Sequence, residues 1–197
     1  TDIRTDLYRT INDQATRLSN LLNELLDLAR IETRMGRDFK YAVMPVADIV
    51  HSTVSGLLFA GDDRKLDIHI AAGEFIVRID REKMQQALTN VISNAYKYSP
   101  AGGAITLTVE GGDGRVSISV RDRGIGMSAE QLSHAFERFY RADNTGNIPG
   151  TGLGLSLVKE IVEIHGGNCV ITSELGEGTE VVIHLPLATE STAVAVK

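Results

Sequence analysis

The chain has 197 residues, a formal net charge of −6, and 43% hydrophobic and 23% charged residues. This is ordinary for a soluble globular protein of one or two small domains, and it excludes a bulk electrostatic case for nucleic-acid binding. No apolar run approaches the ~20 residues that span a bilayer, and the single cysteine, Cys169, rules out an internal disulfide or a cysteine-based zinc site.

Residues 5–33 are predicted to form one helix. Ile11, Leu18, Leu22 and Leu25 recur at helical spacing, and Leu21 and Leu28 widen the stripe. So many leucines need another helix to pack on, in this chain or in a partner. "TRMGRDFKYAVMP" breaks the pattern and reads as a linker, with a boundary near residue 36. Beyond it, residues 46–60 read as helical, while "KLDIHIA" and "FIVRID" alternate like strands. A helix is expected over 81–98. "AITLTVEG" and "RVSISVRD" then read as strands joined by the glycine-rich "GGDG", a hairpin signal. A short helix at 128–137, a polar segment and a helix after Gly152 follow. "GNCVITSEL" and "TEVVIHLPL" close the chain as a second hairpin, with Cys169 a small apolar strand residue, and the tail from Thr189 reads as frayed. Two hairpins argue against an all-parallel sheet. They favour an α/β two-layer sandwich, a mixed sheet with helices on one face.

The stretch "PGTGLGLSLVKEIVEIHGG" places Gly150, Gly152 and Gly154 directly before an amphipathic helix. A flexible turn feeding a helix N-terminus is a ready anion site, because free N–H groups point outward there. Neither the P-loop nor the dinucleotide fingerprint is present. Four further clusters surround it in the sequence. In "NVISNAYKYSP", Asn90, Asn94 and Lys97 share one helix stripe, opposite Met84, Leu88, Val91 and Ala95. Asparagine is a poor helix former, so two on one stripe suggest a task, and an amide oxygen suits Mg²⁺; a solvated face is the plainer alternative. "DRGIGM" follows a strand that ends in Asp122, where a carboxylate can accept from an amine and Gly124 and Gly126 let a flat ring approach, or simply form a turn. "FERFYRAD" crowds Phe136, Phe139 and Tyr140 around Arg138 and Arg141, as a latch for segment 142–149 with Arg for phosphate, or as a packed helix end. "GEGT" at 176–179 reads alone as a hairpin turn.

In this order and spacing the clusters resemble the ATP-binding domain of the sensor histidine kinases, the Bergerat fold shared with gyrase, heat-shock chaperone and mismatch-repair ATPases. The N-box is "NVISNAYKYSP", the three glycine boxes are "DRGIGM", "GTGLGL" and "GEGT", and the F-box is "FERFYRAD". The resemblance covers about residues 5–187. It implies that Asn94 coordinates Mg²⁺ with Asn90 in support, that Lys97 meets the phosphates and that Tyr98 lines the adenine pocket. It implies that Asp122 accepts from the adenine amine, with Gly124, Ile125, Gly126 and Thr179 around the ring. Gly150, Thr151, Gly152, Leu153, Gly154 and Leu155 then form the hinge and floor of a lid over the triphosphate. Asn94, Lys97, Arg138 and Arg141 make up the implied catalytic set, the two arginines as candidates for the terminal phosphate.

Position 90 separates the branches of this family. The hydrolytic relatives begin the N-box with a Glu that activates water; Asn90 cannot act as that base, so fast hydrolysis is not expected. The kinase branch presents ATP to a histidine in a "HELRTPL"-like motif, which this chain lacks, and its five histidines read as structural or surface residues. The 5–33 helix resembles the second helix of the dimerisation and phosphotransfer hairpin. The expected protein is therefore the ATP-binding part of a histidine kinase. It uses ATP and Mg²⁺, pairs as a homodimer through the hairpin and serves a response-regulator receiver domain, without nucleic acid. The domains read as 1–36, 37–188 and a tail at 189–197. A chain starting at Thr1 reads as an excised cytoplasmic piece whose parent is free to be membrane-anchored. A nucleotide-gated interaction module without phosphotransfer is the alternative.

Overall fold

A computed structural model of the chain describes residues 3–57, 66–99, 103–141 and 150–189. Helix α1 (Ile3–Arg34) leads into strand β1 (Tyr41–Pro45) and helix α2 (Val46–Gly56). Strands β2 (Leu66–Ile70) and β3 (Ile76–Asp80) precede helix α3 (Arg81–Tyr98). Strands β4 (Ile105–Gly112) and β5 (Arg115–Asp122) precede the short helix α4 (Ala129–Ser133). Helix α5 (Gly154–Ile164) and strands β6 (Asn168–Glu174) and β7 (Gly178–Pro186) complete the fold.

The main sheet has five strands in the order β2-β4-β5-β7-β6. Its β2–β4 pair is parallel and its other pairs are antiparallel, which is the expected mixed sheet. Both predicted hairpins are present. Alternation decides which face is covered: Ile105, Leu107 and Val109 of β4, and Val116, Ile118 and Val120 of β5, are buried beneath α3 and α5. The intervening Thr106, Thr108, Ser117 and Ser119 lie on the other, less buried face. From the helices, Met84, Leu88 and Ile92 of α3 and Leu157, Val158 and Ile161 of α5 fill the same core. Cys169 joins its edge as a half-buried residue whose thiol burial pushes up to about 12, an inert packing group.

Three local readings change. Residues 41–45, read as linker, form a strand that pairs antiparallel with β3 in a separate two-stranded sheet. "FIVRID" is accordingly a strand outside the main sheet, and only this long-range pairing decides it. The helix expected at 128–137 stops at Ser133 and continues as turns, since its capping box of Ser128 and Gln131 starts a helix that lacks an apolar stripe to extend it. The helix expected at 46–60 ends at Gly56, its last expected residues lying outside those described.

The two-stranded sheet is tied to the far end of α5. Asp80, the N-cap of α3, accepts from the Lys83 N–H (3.0 Å) and from the Lys40 N–H (2.6 Å). Its own N–H donates to Nε2 of buried His165 (2.9 Å), while Nδ1 of that ring donates to the Ile161 carbonyl (2.7 Å). The ring sits 5.3 Å from Phe39 and 5.4 Å from Tyr41, and the Arg78 guanidinium covers the Tyr41 ring at 4.2 Å. One nitrogen accepting and one donating require the neutral imidazole.

Helix α1 lies mostly in the open. Leu7, Ile11, Leu18 and Leu22 are each more than half exposed, and among its described side chains only Leu28 and Ile31 are fully buried. Each of those two contributes about 1.5–3 kcal/mol of apolar burial, against about 0–1 kcal/mol for an exposed ion pair, so they are the anchors of its last turns.

Burial holds the His165 pKa below the ordinary 6.5. As pH falls through that value, the unfolded chain takes up a proton that the folded ring excludes, so stability declines toward acid. Denaturant melts of the native chain between about pH 7.5 and 5.5 should show this decline, and His165→Asn should flatten it. Equal slopes in the two proteins would show that His165 does not carry the dependence.

Candidate functional site

The sheet and helices leave a cavity at the C-terminal end of α3, about 490 Å³ in volume. Its walls come from six places far apart in sequence: α1, α3, the end of β5 with the turn after it, the stretch from Ala135 to Arg141, the turn before α5, and β7.

From α3 come Asn90, Asn94, Lys97 and Tyr98 along one stripe, while Met84 and Leu88 turn to the core and Val91 and Ala95, buried between the two, both join the core and line the cavity. The Asn90 amide Nδ2 donates to the Gly154 carbonyl at 3.5 Å, which joins α3 to the start of α5. Helix α5 begins without a side-chain cap and without an acidic residue in its first turn. Its leading N–H groups and the positive end of its dipole therefore face the cavity, and a Cβ added to Gly154 would point at the Asn90 side chain, 3.8 Å away. Gly150, Thr151, Gly152 and Leu155 line the same end. Leu153 does not: it is fully buried in the core, where its carbonyl accepts from Leu157 N (3.0 Å). Two features require glycine at 152: its φ of +74°, and a Cβ that would press on the Phe139 backbone at 2.7 Å; Phe139 N donates to the Gly152 carbonyl at 2.9 Å. That contact holds Phe139 itself at φ +63°, a costly conformation for an aromatic residue.

At the other end, Asp122 terminates β5 and is buried. Its Oδ1 accepts from Gly124 N at 2.7 Å. Burial raises its pKa above the ordinary 3.8, and the N–H groups of Gly124 and Thr179 pull the value back. Ile125 N donates to the Tyr98 carbonyl (3.0 Å), and its own carbonyl accepts from Gly176 N (2.8 Å). The first and third glycine boxes are thereby clamped together at the end of α3. Gly126, at φ +61°, runs so close to the Glu174 carbonyl that any side chain would collide with it. Thr179 completes this corner through a 2.8 Å contact with Ser173 Oγ, and Val120, Met127 and Val181 give it an apolar floor. Gly124 packs behind Asp122 against the Tyr98 carbonyl, outside the lining.

Of the two arginines, Arg141 lines the cavity and Arg138 does not. Arg138 is ion-paired to Glu32 of α1 and reaches Glu160 of α5 at 4.0 Å. The segment 142–149 lies outside the described residues. Sequence reasoning missed the whole α1 wall: Gln14, Arg17, Leu18, Asn20, Leu21 and Glu24. No local pattern marks these residues, because only the docking of α1 brings them there. Val120 and Val181 were legible as buried strand positions but not as a pocket floor.

The cavity thus has a corner with a buried carboxylate, apolar floor and exposed glycine backbone, which suits a flat ring bearing an amine. It has an opposite end with two asparagines, Lys97, Arg141 and an uncapped helix N-terminus, which suits polyphosphate and a hard cation.

Comparison with known proteins agrees with this geometry. The family model of histidine kinase-, DNA gyrase B- and HSP90-like ATPases matches residues 79–189. Sensor protein SrrB of Staphylococcus aureus is 35% identical over 177 residues, 88% of this chain and 30% of SrrB, so the chain spans under a third of that relative's length. Among solved structures, the mycobacterial sensor histidine kinase MprB matches with TM-score 0.66 and 26% identity over 75% of this chain and 98% of that one. Full-length ShkA, solved in complex with AMPPNP, matches with TM-score 0.78 and 25% identity over 96% of this chain and 40% of that one. The chain belongs to the histidine kinase-, DNA gyrase B- and HSP90-like ATPase family, and within it is an ATP-binding domain of the sensor histidine kinase type.

Proposed function

We propose that this domain holds Mg·ATP and presents its terminal phosphoryl group to a histidine on a helix outside this chain, from which it passes to an aspartate of a response-regulator receiver domain. The observation that supports this most is the convergence of Asn94, Lys97, Asp122 and the uncapped start of α5 on one cavity. In this reading Asp122 accepts from the adenine amine, and its ionised carboxylate is the stronger acceptor. Gly126, Ile125, Thr179 and Tyr98 frame the ring. Lys97 and Arg141 neutralise phosphate charge, and the N–H groups of Gly152, Gly154 and Leu155 cradle it. Asn94 offers a neutral oxygen to the cation, with Asn90 fixing the α3–α5 spacing. When bound, Mg²⁺ spreads the negative charge of the phosphates and orients them.

What the chain contributes is position and charge rather than covalent chemistry. Asn90 stands where a water-activating carboxylate would be needed, and an amide does not take up a proton at neutral pH. Arg138, engaged by Glu32 and Glu160, reaches phosphate only by leaving those partners. The exposed apolar stripe of α1 is the surface for pairing with a second helical hairpin. Among the described residues no helix is long and apolar enough to cross a membrane.

Titration with a non-hydrolysable ATP analogue, with and without Mg²⁺, tests the site. Asn94→Ala should abolish the Mg²⁺-dependent part of the affinity, and Asp122→Asn should weaken adenine recognition by about tenfold or more. No binding by the folded native chain would remove the reading. Mixing the chain and ATP with a separate phosphoacceptor hairpin should yield acid-labile phosphohistidine on that hairpin and little free phosphate. Binding without transfer would favour a nucleotide-gated interaction module, and rapid phosphate release by this chain alone would favour hydrolysis.

A further inference from the structure

Helix α1 carries three carboxylates toward the rest of the molecule, and each engages a different element. The Thr151 hydroxyl donates to Oε2 of Glu24. Asp27 receives Nζ of Lys83 at 3.5 Å and Nε2 of Gln86 at 2.9 Å, both on α3. Glu32 pairs with Arg138. Spaced at i, i+3 and i+8, the three lie along one face, beside the buried anchors Leu28 and Ile31. Glu24 differs from the other two because it lines the cavity itself. The hydroxyl it holds also accepts from Leu153 N at 3.3 Å, at the residue that leads into α5. An anionic oxygen acceptor from within the chain is therefore seated at the glycine-rich turn that leads into the uncapped, positive end of α5. Lys97 and Arg141 line the same space.

We propose that α1 is a built-in competitor for the phosphate end of the pocket: the Glu24 carboxylate, held on Thr151, stands in for a nucleotide phosphate. Docking of α1 and binding of a phosphorylated nucleotide therefore oppose each other. The inference rests on the nucleotide-site reading above. The coupling is reciprocal by thermodynamic necessity: whatever affinity α1 docking costs ATP, ATP costs α1 docking by the same factor. The effect is specific to charge. Adenosine fills the Asp122 corner without bringing an anion to Thr151 and leaves α1 in place. The helix that carries the exposed leucine stripe would thus be released by the ligand of the pocket it covers, which makes nucleotide occupancy a signal to whatever that helix pairs with.

The test uses the full chain, Glu24→Gln and Asp27→Asn, titrated by calorimetry with Mg·ATP and with adenosine, their folding checked by circular dichroism. Glu24→Gln keeps an oxygen for the Thr151 hydroxyl and removes the charge. Asp27→Asn loosens α1 from α3 at residues outside the cavity lining. Mg·ATP should bind Glu24→Gln about fivefold or more tighter than the native chain, and Asp27→Asn tighter by a smaller factor, with adenosine unchanged in both. In the native chain, amide hydrogen exchange over residues 20–32 should quicken on adding Mg·ATP and not on adding adenosine. Equal ATP affinity in all three proteins, within about twofold, with unaltered exchange in α1 would overturn the inference and leave the nucleotide site standing. Weaker ATP binding by Glu24→Gln would overturn it in the other direction, making Glu24 a supporting wall. If neither ATP nor adenosine bound any of the folded proteins, the site reading would fall and the inference with it.

Discussion

The bond from the Asp80 N–H to His165 Nε2 joins the start of α3 to the end of α5. These helices run in opposite directions across the sheet, so tying one pair of ends sets the spacing of the other. The other pair, Asn90 to Tyr98 on α3 and Gly154 on α5, forms the walls of the cavity. Asp80 uses its N–H and both carboxylate oxygens in this joint, capping α3 with one oxygen and holding the Lys40 N–H with the other. A neutral, doubly engaged imidazole under two aromatic rings is stiff, because each of its nitrogens loses a partner if the ring turns.

From that joint outward, the site is a set of local concessions that the core can carry. Helix α3 gives up helix propensity at Asn90 and Asn94, and Phe139 accepts a left-handed backbone to meet Gly152. Asp122 is kept under cover at a cost in solvation that its backbone donors only partly return. Each concession is of order a kcal/mol, and each places a polar group or a bare stretch of backbone against the same cavity. The opposing term is a continuous apolar core of strand and helix residues, which far outweighs them.

The relation of α1 to this site is of another kind. Its anchors are two buried side chains and three acidic contacts, while the rest of the helix shows leucine to solvent. A helix held so lightly has less apolar burial opposing its release than α3 and α5, which are packed on the sheet. The same element therefore shows an apolar stripe to solvent on one side and a wall of the cavity on the other.

The elements and most of the site were legible in the amino-acid order because they rest on short-range physics. Alternation marked β4, β5, β6 and β7, the 3.6-residue period marked α1, α3 and α5, and glycine spacing marked the turns at Gly124–Gly126 and Gly150–Gly154. The polar stripe of Asn90, Asn94 and Lys97 could be drawn on a helix without knowing its neighbours. What only the tertiary structure decided are the pairings between distant segments. These are the union of β1 with β3, the seat of His165 on Asp80, the pairing of Arg138 with Glu32 away from the cavity, and the arrival of Glu24 at Thr151. No residue in those pairs announces its partner. A strand edge, an imidazole or a carboxylate can satisfy its hydrogen bonds in many ways, and the choice falls to the packing of the core, which brings one candidate within reach and excludes the rest.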